Sequence, residues 1–366
     1  MFHVERWARL CARHYPVRMK ALVITRQGAP VAPNVEFQGD FPDCREAGPG
    51  EVVVKTLASA LNHLDLWVGK GVPGLSLDYP RVAGCDACGE VVSVGEGVDA
   101  GWVGRRVIVN AALQAPEAHR AGDPPGSSLA PNYELIGEHH SPGTHAERFV
   151  CPVANLAEVG EDADPAKAAA FGLASLTAYS MMVGKAGLRP GQSVLITGIG
   201  GGVALAALHL CRWMGCPAIV TSRHQWKLDR AMELGATEGV LDTGEDWSRA
   251  VRGATGKRGV DLVVDSVGKA THLWCVKSMA RGAAYVTPGC TTGPDATTDL
   301  ARVFWNQLRI LGSTMGTSDE LRELAALFRA GRLDAVVDSE HAATDGRAAY
   351  ERLESGEQFG KVVVRW

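Results

Sequence analysis

Hydrophobic and polar positions change their rhythm near residue 164. Before it, short apolar runs are bounded by glycine and proline: Met19–Ile24, Glu51–Lys55, Glu90–Val94 and Arg106–Asn110. Runs of this length between turn residues predict β-strands. From Asp164-Pro165 onward, alanine-rich helical stretches alternate with apolar runs to about residue 315. Asp164 suits an N-cap and Pro165 the first helical turn. Strands alternating with helices predict a parallel, doubly wound sheet. The tail carries a predicted helix over Asp319–Ala330 and a closing strand, Lys361–Arg365.

Within the alternating half, the apolar run Val194–Ile196 meets Gly198, Gly200, Gly201 and Gly202, and Val203-Ala-Leu-Ala-Ala continues as a helix. Glycines at such a strand–helix junction permit a tight turn and let backbone approach a pyrophosphate seated on the helix N-terminus. A glycine run alone is weak evidence. The apolar segment Pro217–Ser222 follows at the spacing of a βαβ unit, and Val260–Asp265 leads into Ser266-Val267-Gly268. Together they predict a nicotinamide dinucleotide. An acidic residue that would bind a ribose 2′-hydroxyl is missing after Thr221; Ser222, Arg223 and Lys227 stand there instead. An arginine fork suits a 2′-phosphate, so NADPH is favoured over NADH. Asp242, near the next strand end, counts against it.

The 366 residues suffice for two domains with full cores. A net charge of −4 gives no electrostatic footprint for nucleic acid or an acidic membrane. No apolar run approaches the length of a bilayer span, so no membrane partner is expected. Nine scattered cysteines read as free thiols of a reducing cytoplasm rather than a disulfide framework. Residues 1–18 mix four arginines with apolar residues and read as an N-terminal extension. The Ala, Pro, Gly and Ser-rich stretch 111–131 reads as an irregular loop or lobe.

The chain resembles the medium-chain dehydrogenase/reductase superfamily over nearly all of residues 19–366. The resemblance is carried by Gly48-Pro-Gly-Glu-Val-Val-Val-Lys55, Asn62-His-Leu-Asp65, Pro80-Arg-Val-Ala-Gly-Cys-Asp-Ala-Cys-Gly89, Gly143-Thr-His-Ala-Glu147, the glycine cluster, Glu233-Leu-Gly-Ala236 and Gly360-Lys361. It implies an α/β protein: a Rossmann doubly wound parallel sheet over 161–315 and a β-rich GroES-like catalytic domain over 19–160 and 316–366. It also implies further cofactor contacts, at Thr177, Ser266, Val267, Gly268, Pro288, Gly289, Ser313, Thr314, Met315 and Lys361. A homodimer is expected, with the strand near Gln307–Gly312 pairing across a two-fold axis.

Zinc-dependent members hold their catalytic metal where this chain has Asn62, Cys85-Asp86 and the neighbourhood of Leu173–Ser175. A carboxamide is a poor zinc ligand, so no zinc is expected. Cys85 and Cys88 form the one close thiol pair, one of them facing the core, and His139, His140 and His145 read as a solvated loop. The zinc-free branch reduces activated C=C bonds of quinones, enones and enoyl thioesters. There a hydride goes to the β-carbon, and the enzyme orients the reactants and stabilises the oxyanion. Asn62 matches the asparagine near the nicotinamide ribose, able to orient the cofactor, donate to substrate or fix a turn. Asp65 is expected to hold the loop, and Trp67 replaces a tyrosine of relatives, walling a pocket without supplying a phenol. The proton source is left open between His63, Cys85 and solvent. Alternatives are an alcohol dehydrogenase or ketone reductase, and an NADPH-binding protein without turnover.

Overall fold

A computed structural model describes residues 18–113 and 133–366. All but Arg18 of the extension 1–18, and most of the 111–131 stretch, lie outside the described residues; Arg18 begins the strand Arg18–Ile24. The chain divides into two compact units: residues 1–173, 321–329 and 337–366, and residues 174–320 with 330–336.

The second unit is built on a six-stranded, all-parallel sheet. Val194–Ile196 and Val260–Val264 are its middle strands; Ala218–Ser222 and Glu238–Leu241 lie to one side, Met279–Thr287 and Arg309–Gly312 to the other. The chain order across the sheet is therefore 3-2-1-4-5-6, with its reversal between the first and fourth strands. That reversal is where doubly wound sheets take dinucleotides, just beyond the strand C-termini. The inner strands are apolar without alternation, as burial on both faces requires. Leu195, Ile219, Val263, Cys275, Val276 and Tyr285 pack in one core on this sheet.

The first unit holds a seven-stranded sheet, with Glu51–Ala60 at its centre. That strand pairs antiparallel with Ala87–Val94, Arg148–Pro152 and the C-terminal strand Lys361–Arg365. Cys85 and Cys88 are both buried. The predicted helix at Asp164-Pro165 runs Pro165–Tyr179, and the Asp164 carboxylate accepts the Ala166 N–H at 2.9 Å. It widens into π-type turns over Ser180–Lys185, an arrangement frequent at functional sites.

One ion pair ties the C-terminal helix Gly346–Ser355 to its sheet. Arg352 Nε and Nη2 donate to the two oxygens of Asp338, each at 2.9 Å, and the Phe359 N–H adds a third bond at 2.8 Å. Burial raises the Asp338 pKa, but these donors outweigh it and hold the carboxyl below its ordinary 3.8. A depressed carboxyl contributes stability above its unfolded pKa and loses it as the pH falls through the folded value. Arg352→Ala is therefore expected to cost about 1–2 kcal/mol at pH 7. The gap to wild type should start to narrow only as the pH falls below 3.8, and urea unfolding at pH 7 and across that acid range checks this.

Candidate active site

In the first unit, the short helix His63–Lys70 starts at Asn62, directly after the central strand. Asp65, in its first turn, accepts the Asn62 N–H at 2.6 Å and the Gly84 N–H at 3.0 Å. His145 Nε2 lies 3.5 Å from the same carboxylate, and its Nδ1 contacts Ser59 Oγ at 3.0 Å. His145 is completely buried and stacks edge-on to Tyr350, so it leaves the solvated histidine group assigned from sequence. The C-terminal Trp366 indole donates to Ser59 Oγ at 2.9 Å, closing the network. Asp65 thus pins the start of the helix against the Gly84 turn.

Asn62 itself spends its side chain on two charged partners. Its Nδ2 donates to Asp86 Oδ2 at 2.9 Å and lies 3.4 Å from Cys85 Sγ; its Oδ1 accepts from Lys361 Nζ at 2.5 Å. Lys361 Nζ also reaches Asp86 Oδ2 at 2.9 Å. The other Asp86 oxygen accepts the Leu173 N–H at 2.6 Å. Asp86 has no exposed surface and Lys361 has 5%. Asp86, noted from sequence only as standing where zinc-dependent members have a metal-binding pair, is thus the anchor of the cluster. Lys361, expected against the cofactor, is held between Asn62 and Asp86.

Neither candidate acid is disposed to supply a proton at pH 7. Burial drives the Cys85 thiol well above its usual pKa, with the Asp65 and Asp86 charges adding to the effect. Desolvation lowers the His63 pKa, and the Lys70 and Lys361 charges lower it further against the pull of Asp65. His63 is therefore mainly neutral at pH 7. Trp67, on the same helix, is 37% exposed.

In the second unit, Gly198 and Gly200 take φ of +61° and +117°. A Cβ on Gly198 would also meet Val267 Cγ2 at 2.9 Å. The turn delivers Gly201 as N-cap of the helix Gly202–Met214, so Gly202 and Val203 begin its first turn. The first N–H groups of a helix have no intrahelical acceptor and suit an anion. At the end of the second strand, Ser222 Oγ accepts the His224 N–H. Arg223 is exposed, and Lys227 lies over the Trp226 ring. Asp242 turns its Oδ1 onto the Gly244 N–H at 3.0 Å.

The loop Ser266–Gly268 is set by Asp265, a completely buried carboxylate that sequence reading passed over. It accepts Thr197 Oγ1 at 2.5 Å, Tyr285 Oη at 2.6 Å and Thr271 Oγ1 at 3.0 Å, together with the Val267 and Gly268 N–H groups. The Thr291 and Thr292 N–H groups bond Ser266 and Val267 carbonyls, laying the segment after Pro288-Gly289 along this loop. Thr177 Oγ1 and Ser313 Oγ are buried hydroxyls without a partner among the described residues. A buried, unsatisfied hydroxyl is costly unless a ligand completes it, so both fit a bound cofactor. Met315 sits at φ +52°, an uncommon conformation for a residue with a side chain; Thr314 precedes it.

Comparison with known proteins bears on both units. The family model described as "Alcohol dehydrogenase GroES-like domain" matches residues 48–161, and "Zinc-binding dehydrogenase" matches 202–330. A solved NAD-dependent alcohol dehydrogenase is 38% identical, with a TM-score of 0.88, over 95% of this chain and 100% of that one. The chain belongs to the medium-chain dehydrogenase/reductase superfamily. It is similar to a zinc-type alcohol dehydrogenase-like protein of Leptosphaeria maculans (29% identity, covering 87% of this chain and 91% of the relative). It is also similar to crotonyl-CoA carboxylase/reductase of Cereibacter sphaeroides (27%, covering 88% and 81%). Like other members of the superfamily, the protein is an NAD(P)H-dependent oxidoreductase. Among the described residues no helix is long and apolar enough to cross a membrane.

The zinc of the family name can be tested against the donors present. Zinc needs thiolate, imidazole or carboxylate ligands in deprotonated form. Asn62 offers a carboxamide with both ends committed, Cys85 a buried thiol held protonated, and Asp86 a carboxylate already paired with an ammonium. This set does not fit a zinc ion.

Proposed function

We propose that the protein is an NADPH-dependent, zinc-independent reductase that delivers hydride to an activated C=C bond of an enone, enoyl thioester or quinone. The observation that carries this reading is the Asn62–Asp86–Lys361 cluster, a polar site organised around a side-chain ammonium. Reduction of a conjugated C=C bond needs only that the developing enolate oxygen be hydrogen-bonded. Reduction of an isolated carbonyl asks more of an electrophile. The similarity to a crotonyl-CoA carboxylase/reductase supports the same chemistry.

In this reading the second unit binds the cofactor. Its pyrophosphate lies on the Gly198–Val203 turn, the Ser266–Gly268 loop flanks the adenosine side, and Thr177 and Ser313 complete the nicotinamide end. Asn62 and Lys361 belong to the substrate-orienting groups, Asp65 to the scaffold behind them, and Trp67 to an aromatic wall. His63 and Cys85 are poor acids on the grounds given above, so water returns the proton to the enolate carbon.

NADPH consumption by the purified protein, measured with quinones, enones, enoyl thioesters, aldehydes and ketones, tests the assignment. Turnover confined to aldehydes or ketones would overturn it. The similarity to an NAD-dependent alcohol dehydrogenase favours that second reading, in which NADH and an alcohol or ketone are the reactants. Arg223 separates the cofactors. Its guanidinium has no partner among the described residues, and we assign it to the 2′-phosphate. Arg223→Ala is expected to raise KM for NADPH about 10- to 50-fold, the worth of one charge-assisted contact, and to leave KM for NADH within about two-fold. Steady-state kinetics with both cofactors reads this.

We also propose a homodimer. Arg309–Gly312 is an edge strand of the six-stranded sheet, and beside it the helix Leu300–Asn306 exposes Leu300 at 72%, Phe304 and Trp305. An unpaired edge with neighbouring apolar side chains is a pairing template. Light scattering should give twice the chain mass, and Ile310→Lys with Phe304→Asp should give the mass of one chain.

A further inference from the structure

We infer that Lys361 supplies this site with the fixed positive charge that a metal ion supplies in zinc-binding members of the superfamily, and that its ammonium excludes a metal from that position. The inference deepens the zinc-independent reading above and rests on it.

Three observations carry it. Lys361 Nζ bonds Asn62 Oδ1 at 2.5 Å and Asp86 Oδ2 at 2.9 Å, and Asn62 Nδ2 closes the ring onto the same Asp86 oxygen at 2.9 Å while lying 3.4 Å from Cys85 Sγ. The ammonium is therefore met by Asn62 and Asp86, and Cys85 Sγ lies against the other end of the same Asn62 amide. Secondly, Asp86 is built to meet one cation. Its Oδ1 takes the Leu173 N–H at 2.6 Å, and a Cβ on the preceding Gly172 would lie 2.6 Å from that oxygen. Glycine inside the helix Pro165–Tyr179 costs helix stability, and the close approach of the carboxylate is what requires it. Thirdly, the ion pair is out of water, Lys361 being 5% exposed and Asp86 0%, with Asn62 half-buried beside it. A divalent ion brought onto Asp86 would meet the ammonium at close range in a medium that screens little. Of the three ammonium hydrogens, two are placed on Asn62 and Asp86; the third has no acceptor among the described residues and is the one a substrate oxygen would meet.

The test converts the cation site into a metal site in the full-length chain. Asn62→Cys alone places a second thiol beside Cys85 but keeps the ammonium. Asn62→Cys with Lys361→Met removes the ammonium and leaves two thiols and a carboxylate. Cobalt(II) serves as the probe, because a thiolate-bound ion gives a charge-transfer band. The wild type and Asn62→Cys should show no such band and no stoichiometric uptake. The double variant should take up roughly one equivalent per chain with a tetrahedral thiolate spectrum. Asn62→Cys with Lys361→Gln, which keeps a donor toward Asp86, is the second version should the methionine variant not fold.

Stoichiometric zinc in wild-type protein purified without chelator would overturn the inference. So would cobalt bound as tightly by Asn62→Cys as by the double variant, or a folded double variant that takes up none. None of these readouts uses substrate turnover, so failure of the reductase assignment and failure of the cation assignment give different results.

Discussion

Lys361→Met alone is expected to lower the unfolding free energy by about 3–5 kcal/mol, the usual cost of removing one partner of a buried ion pair. The loss comes less from the missing attraction than from Asp86, which stays buried with its charge uncompensated. Asn62 loses its Oδ1 donor in the same step. Asp86→Leu combined with Lys361→Met should therefore be more stable than the single variant, recovering at least half of the loss, because no unpaired charge remains. Equilibrium urea unfolding of the two single variants and the double gives the coupling directly. Additive losses in that cycle would show that the two side chains do not act as a pair. Lys361→Arg keeps the charge with a wider, planar head, and should fall between wild type and Lys361→Met.

That pairing shows where a sequence stops being readable. The glycine turn at 198–202 announces itself because positive φ and a helix start leave a local signature: Gly198 and Gly200 take positive φ, and Gly201 is the N-cap of the helix that follows. The six-stranded sheet was likewise legible, since apolar strands alternating with helices have few alternative arrangements. Asp86 and Lys361 are different. They lie 275 residues apart, and nothing near either one marks a partner. The same holds for His145, which looks like one of three histidines in a polar loop. It is buried only because the strand carrying Ser59 and the helix carrying Tyr350 close over it. The conversion of Asn62 from an available donor to a fully bonded one follows from these long-range contacts. Two carboxylates, Asp86 and Asp265, did carry a faint signal, each being an acidic residue set among apolar and small neighbours at a strand end. An acid in such a place is either solvated or deeply bonded, and sequence alone does not choose.

Asp265 gives the second large effect. Its carboxylate collects three hydroxyls and two N–H groups and has no cationic partner among the described residues. Asp265→Ala would strand the Thr197 and Tyr285 hydroxyls and the Val267 and Gly268 N–H groups, Thr271 keeping the Gly268 carbonyl at 3.2 Å, and each unsatisfied buried donor costs about 1–3 kcal/mol. Partial relaxation and non-additivity reduce the sum, so a loss of about 3–5 kcal/mol is expected. Asp265→Asn keeps one acceptor oxygen but turns an amide N–H₂ toward donors; it should lose about 2–3 kcal/mol. Tyr285→Phe removes one bond and leaves the carboxylate four donors, for about 1–2 kcal/mol. The ranking Ala, Asn, Phe in urea unfolding is the first check. The second separates a loop-setting role from plain structural support. Asp265 fixes both Thr197, at the entrance of the glycine turn, and the Ser266–Gly268 loop, so we expect Asp265→Asn to raise the dissociation constant for NADPH about ten-fold. Tyr285→Phe, which leaves the two loop N–H bonds in place, should change it less than two-fold. Equal weakening of NADPH by both variants, measured by nucleotide fluorescence well below their unfolding transitions, would reduce Asp265 to a core residue with no hold on the cofactor.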